Sequence, residues 1–193
     1  MATPIKLNDL TPGDSAEVRG KISWSRLAKH YSAEEAQKRT SASRFPITVP
    51  FTEVTISDVQ IIGKDGKPVT NLSKATDIEK FLASKFYDAK AGRSYNHRDK
   101  SPQLPVVIHN TEADGKVVGK QILLEEELSA GSDVSLLVSV FDSKKGNYGL
   151  GLDAVIVHDD QVRYYTHNTL NARLAERGII FEPLPPTEVK DEE

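Results

Sequence analysis

Residues 131–157 read GSDVSLLVSVFDSKKGNYGLGLDAVIV. Val134, Leu136, Val138 and Val140 recur at every second position, and so do Tyr148, Leu150, Leu152, Ala154 and Ile156. A period of two is the mark of a strand with one buried face. DSKKGN between the two runs supplies a basic turn, so the pair predicts a hairpin. Gly149 and Gly151 fall opposite Leu150 and Leu152, together on one face. Inside a strand, glycine marks tight coiling or the close approach of another molecule. Such a hairpin suits a small closed barrel.

Working outward, Ala16, Val18, Gly20, Ile22 and Trp24 alternate with Glu17, Arg19, Lys21 and Ser23, which predicts a strand with one apolar face. The next residues, near 25–45, are polar and read as a mobile insertion, although Ser32 and Glu35 have the spacing of a capping box. In FTEVTISDVQII, Val54 and Ile56 share one phase while Val59 and Ile61 take the other, the change of face that a β-bulge produces. Thr76 and Glu79 form a second capping box ahead of Ile78, Phe81, Leu82 and Phe86, predicting a helix over 77–87. AKAGRSYNHRDKSPQ reads as loop, and LPVVIH with VVGKQILL, joined through TEADGK, as a further hairpin. A short strand over 161–165 and a helix from Asn168 to Arg177 follow. The expected fold is mainly β: a five- or six-stranded, OB-fold-like Greek-key barrel with one central helix and a short C-terminal helix. Residues 1–181 form a single domain, and 182–193 are a disordered acidic tail.

The chain has 193 residues, no cysteine and a net charge of −3. Disulfides, thiolate metal sites and a cysteine nucleophile are therefore excluded. No apolar run reaches the ~20 residues needed to span a bilayer, and MATPIKLNDL lacks a signal-peptide pattern. The expectation is a cytoplasmic protein with no membrane partner. The charge is uneven: the last twelve residues carry a net −4 and the remainder about +1. Basic residues gather over 21–44 and 85–100.

No enzyme motif stands out. His30, His97, His109, His158 and His167 form no metal-ligand pair spacing, and no nucleophile elbow, Walker loop or dinucleotide motif occurs. The expectation is a non-enzymatic protein without cofactor or metal. What does recur is cations interleaved with rings. Lys90, Arg93, Arg98 and Lys100 alternate with Tyr95 and His97, while Trp24, Arg26, Lys29, Tyr31, Lys38, Arg39 and Arg44 make a second set. Lys144 and Lys145 occupy the hairpin tip and Tyr148 follows it. Cations tracking phosphates and rings stacking on bases are how single-stranded nucleic acid is held. Gly149 and Gly151 would leave a smooth lane for the strand.

Gly131, Val134, Val138, Gly149, Leu150, Leu152, Val155 and Val157, with the acidic tail of Glu188, Asp191, Glu192 and Glu193, give the chain a likeness to a known group. It resembles the OB-fold single-stranded DNA-binding proteins encoded by tailed phages. The resemblance implies sequence-independent binding of single-stranded DNA in replication or recombination, with the tail contacting partner proteins. The tail is short and has no terminal aromatic, and the insertion after Trp24 has no counterpart in the family pattern. The alternative reading is a β-rich structural or protein-interaction module that binds no nucleic acid and assembles through the same hairpins as a homo-oligomer.

Overall fold

The computed structural model describes residues 4–90, 92–144, 146–165 and 177–178. The chain is mainly β: β1 (Ser15–Tyr31), β2 (Phe51–Ile62), β3 (Tyr87–Ala89), β4 (Gly92–Asp99), β5 (Val106–Ala113), β6 (Lys116–Ile122), β7 (Asp133–Ser143) and β8 (Asn147–Val157). Two short helices, α1 (Ala33–Arg39) and α2 (Asp77–Ala83), complete it. All eight strands join one sheet in the order β3-β4-β2-β1-β7-β8-β5-β6, so the strand count exceeds the five or six expected. Neighbours are antiparallel except β5 and β8.

Alternation builds the core. Ala16, Val18 and Ile22 of β1, Val54 and Ile56 of β2, and Val134, Leu136, Val138 and Val140 of β7 all bury one face. The phase change foreseen in β2 is a bulge: Arg19 pairs with Gln60 but Lys21 with Ser57, and Asp58 takes a φ of 53°. Gly20 lies opposite, where an added β-carbon would stand 2.5 Å from the Ser57 carbonyl oxygen. A second bulge separates Leu137↔Ala154 from Val138↔Leu152. It flips β8 at Asp153, so Val155 and Val157, not Ala154 and Ile156, continue the buried row begun by Leu150 and Leu152.

Three expectations need correction. The presumed insertion begins as strand, since β1 runs to Tyr31, and Ser32 and Glu35 then cap α1 reciprocally. Ala36 of this helix packs on Tyr31 and Phe51 in a small second core, so the segment is anchored. The presumed loop before Gln103 is largely β3 and β4: Tyr95, His97 and Asp99 point inward and Arg98 outward, an alternation hidden by its polar residues. Residues 161–165 form no strand, only a bridge between Leu128 and Tyr164. The Thr76–Glu79 capping box does start a helix, which ends at Ala83, and Phe86 packs on the core from beyond it. The predicted C-terminal helix and acidic tail lie outside the described residues, apart from Arg177. Among the described residues no helix is long and apolar enough to cross a membrane.

The two ends of the β4-β2-β1-β7-β8 run come near one another. The Leu152 N–H donates to the Asp99 carboxylate (3.3 Å), yet β4 and β8 share no backbone ladder.

Candidate functional site

On the face of β1, β2 and β4 turned away from the core, register sets two rows. Trp24, Thr55 and Asn96 stand abreast, and beside them Arg26, Glu53 and Arg98. Glu53 is 1% exposed and organises the second row. Its carboxylate accepts from Arg98 Nε (2.9 Å), Arg39 Nε (3.1 Å) and Asn96 Nδ2 (3.1 Å). Burial pushes the Glu53 carboxyl up, but the combined hydrogen bonds of Arg98, Asn96 and Arg39 outweigh it and hold it below the usual value. Arg39 reaches this carboxylate from the last turn of α1, which Phe51 and Tyr31 fix to the sheet. The same guanidinium lies over the exposed ring of Trp24, 5.9 Å from its centroid. Arg98 lies over Phe51, and Arg26 over Tyr31 at 4.8 Å while pairing with Glu35. The arginines are thereby held in fixed positions beside an open tryptophan.

Three grooves that share lining residues lead from this face to β7 and β8. The first, about 420 Å³, lies beside Trp24, Arg26 and Lys29. It shares Arg26 and Lys29 with a second of about 650 Å³, which reaches Lys100. Lys100 to Pro102 then border a third of about 710 Å³, which is walled by Arg98, Phe141, Gly149 and Gly151. Through these shared residues the grooves form one trough from Trp24 to the outer face of the β7–β8 hairpin, in which cations and rings alternate with the carboxylates of Glu125, Glu126, Glu127, Glu35, Asp99 and Asp153.

Of the residues singled out from sequence, Trp24, Arg98, Lys100, Gly149 and Gly151 line this trough. Lys144 is exposed in the hairpin turn that ends it, and Lys145 lies outside the described residues. The others are elsewhere. Tyr95 and His97 are core residues, 3% and 4% exposed, not rings on an open loop. Burial drives the Tyr95 phenol pKa up and lowers His97 to about 4. Arg93 shares the inward phase of β4, opposite Arg98, and covers Phe86 near Asp88. Lys90 is exposed in the β3–β4 turn. Tyr148 is half-buried against the core. The tail residues Glu188, Asp191, Glu192 and Glu193 lie outside the described residues.

Gly149 does not leave bare backbone. Phe141, its partner across the ladder, lays its ring over it: an added β-carbon would sit 2.7 Å from Cε1 and closer still to Cζ. Phe141 itself is 47% exposed. It carried a sequence signal that went unread, being an aromatic in the outward phase of a strand whose inward positions are all aliphatic. Glu53 carried none, because an acid in a β-branched run reads as an ordinary solvated position. No protein-family model, curated protein or solved structure matches this chain.

Proposed function

We propose that this chain is a non-enzymatic protein that binds single-stranded DNA without regard to base order, in the trough between Trp24 and Phe141, and acts in phage-type replication or recombination. Setting aside β3 and the β5–β6 hairpin, the run β4-β2-β1-β7-β8 has the strand number and partial opening of an OB barrel. That fold presents oligonucleotides to the face of its second and third strands and to the loops after its first and fourth strands. Here those correspond to β2 and β4, to the segment holding α1, and to the β7–β8 turn. The observation that carries the reading is the trough itself, where Arg98 lies in the groove walled by Phe141 and the exposed Trp24 has Arg39 held over its ring. Guanidinium groups and stacked rings are the sequence-tolerant means of gripping a flexible polyanion.

Trp24 is the sole tryptophan, so its emission reports on this site alone. Titration with oligothymidine at low and high salt should quench it, more weakly at high salt. Unchanged emission together with no mobility shift at micromolar protein would remove the reading. A panel of single-stranded DNA, duplex DNA and RNA fixes the preferred polymer.

One observation favours a second reading, an assembly module. β6 is an edge strand whose Val117 is 71% exposed, with Leu123 just beyond it at 83%. Light scattering after size exclusion separates the two. A defined oligomer that Val117→Lys dissociates, with no oligonucleotide bound, would support the module.

A further inference from the structure

The gap between β4 and β8 opens into a fourth cavity, of about 710 Å³, that shares Arg98 and Leu150 with the trough. This is within the size range of small-molecule sites. Phe81, Tyr87 and Leu150 give it an apolar wall, and Lys6 and Lys85 are its other cations; no carboxylate lines it. His97 also lines it and is 4% exposed. The imidazole Nδ1 stands 2.9 Å from the Tyr95 hydroxyl, whereas Nε2 is buried with no partner among the described residues.

The tautomer follows from satisfying the phenol. If Nδ1 carried the hydrogen, both the Tyr95 O–H and His97 Nε2 would lack partners. If Tyr95 donates to Nδ1, only one group is left over, the Nε2–H donor. A buried donor without an acceptor is rare enough to need an explanation. The imidazole is also kept neutral by burial, its pKa lowered to about 4 despite the nearby Asp99 and Asp153.

We infer that this cavity is a subsite for one carbonyl-bearing nucleobase of the bound strand, with His97 Nε2–H donating to the base carbonyl oxygen and the exposed Tyr87 beside the ring, while Lys85, held over the buried Phe81 ring at 4.8 Å, adds positive charge to the wall. Thymine, cytosine and guanine carry such an oxygen, and adenine does not. The inference rests on the single-stranded DNA reading and adds to it a base preference at one position. Elsewhere in the trough the exposed rings accept any base.

The test is nitrogen NMR of the full chain with labelled imidazoles. Oligothymidine should shift the His97 Nε2–H signal and slow its exchange with water, and oligoadenine should leave it in place. Affinity for oligothymidine should exceed that for oligoadenine by about threefold to tenfold, the worth of one hydrogen bond, and His97→Phe should abolish that excess. Should the variant fail to fold, the wild-type spectrum decides alone. Oligothymidine binding with an unmoved His97 signal overturns the subsite and leaves the trough intact. An equal shift with oligoadenine overturns the carbonyl assignment. No binding of either oligonucleotide removes the parent reading, and the subsite with it.

Discussion

Glu53→Gln tests the electrostatic design of the trough most directly. The buried carboxylate receives hydrogen bonds from two guanidinium groups and one amide, at 2.9–3.1 Å. Glu53 accepts through both carboxylate oxygens, whereas Gln keeps one acceptor and turns an amide NH2 toward a donor, so the substitution loses an acceptor and the ion-pair attraction, about 1 kcal/mol per bond. Arg39 and Arg98 keep 45% and 36% of their side chains in solvent, where they recover part of this, which leaves about 2 kcal/mol. For a chain of this size that is a fall in Tm of about 4–8 °C. The pH dependence has a definite sign. Glu53 titrates below its ordinary value of 4.5 when folded, so its contribution is present above the unfolded pKa and fades as pH falls through the folded one. Thermal melts of the wild type and Glu53→Gln should differ at neutral pH and converge in acid. Binding discriminates further: charge alone predicts tighter DNA binding once an anion is removed, whereas loss of fixed arginines predicts weaker binding. We expect weaker binding to oligothymidine. Equal stabilities at neutral pH, or a gap that persists undiminished in acid, would refute the reasoning.

Phe141→Ala removes a half-exposed ring and should barely move Tm, yet weaken single-strand binding by the ~1–3 kcal/mol of one stacked base, read from oligothymidine titrations. Gly149→Ala forces the Phe141 ring aside and should destabilise, and adding Phe141→Ala should restore most of the loss in a double-mutant melt. His97 should stay neutral until about pH 4, visible in its ring-proton titration. Because its folded pKa is depressed from the ordinary 6.5, the unfolded chain binds the extra proton, so stability is full above that value and lost as pH falls towards 4. Between about pH 7 and pH 5 the loss from this group is about 2 kcal/mol, and His97→Phe should flatten that part of a denaturation profile.

Strand content was legible wherever one face is aliphatic. The alternation of Val134 to Val140 and the phase change between Ile56 and Val59 both translate directly into ladder and bulge. β4 was illegible because its inward residues are the polar Tyr95, His97 and Asp99, which bury by pairing Tyr95 with His97 within the strand and Asp99 with the Leu152 N–H of β8. The same blindness misplaced the site. A run of cations and rings looks like one surface on paper, but period two sends Arg93 and Arg98 to opposite faces. Of the two only Arg98 meets the trough, where the buried Glu53 of the neighbouring strand holds it together with Asn96 and, from α1, Arg39.

The chain's net charge of −3 does not by itself decide polyanion binding, and the grooves are mixed in sign: Glu35, Glu125, Glu126, Glu127, Asp99 and Asp153 line them beside Arg26, Lys29, Arg98 and Lys100. Local field, not the total, governs steering and contact. Of the cations lining the three grooves, Arg26 and Arg98 already have carboxylate partners, whereas Lys29 and Lys100 have none among the described residues. An arginine that keeps its carboxylate releases little counterion when a phosphate arrives, so the lysines carry most of the salt dependence. At about 0.7 per neutralised phosphate on a single strand, the two lysines give a logarithmic salt slope near −1.4, and release of both arginines would raise it to about −2.8. The rings are indifferent to salt. Affinity should therefore persist at ionic strengths that strip purely basic surfaces, and Glu53→Gln, by freeing Arg98 from its carboxylate, should steepen the slope towards about −2.1 even as it weakens binding. A wild-type slope well beyond −3 would mean that phosphates are held somewhere other than this trough.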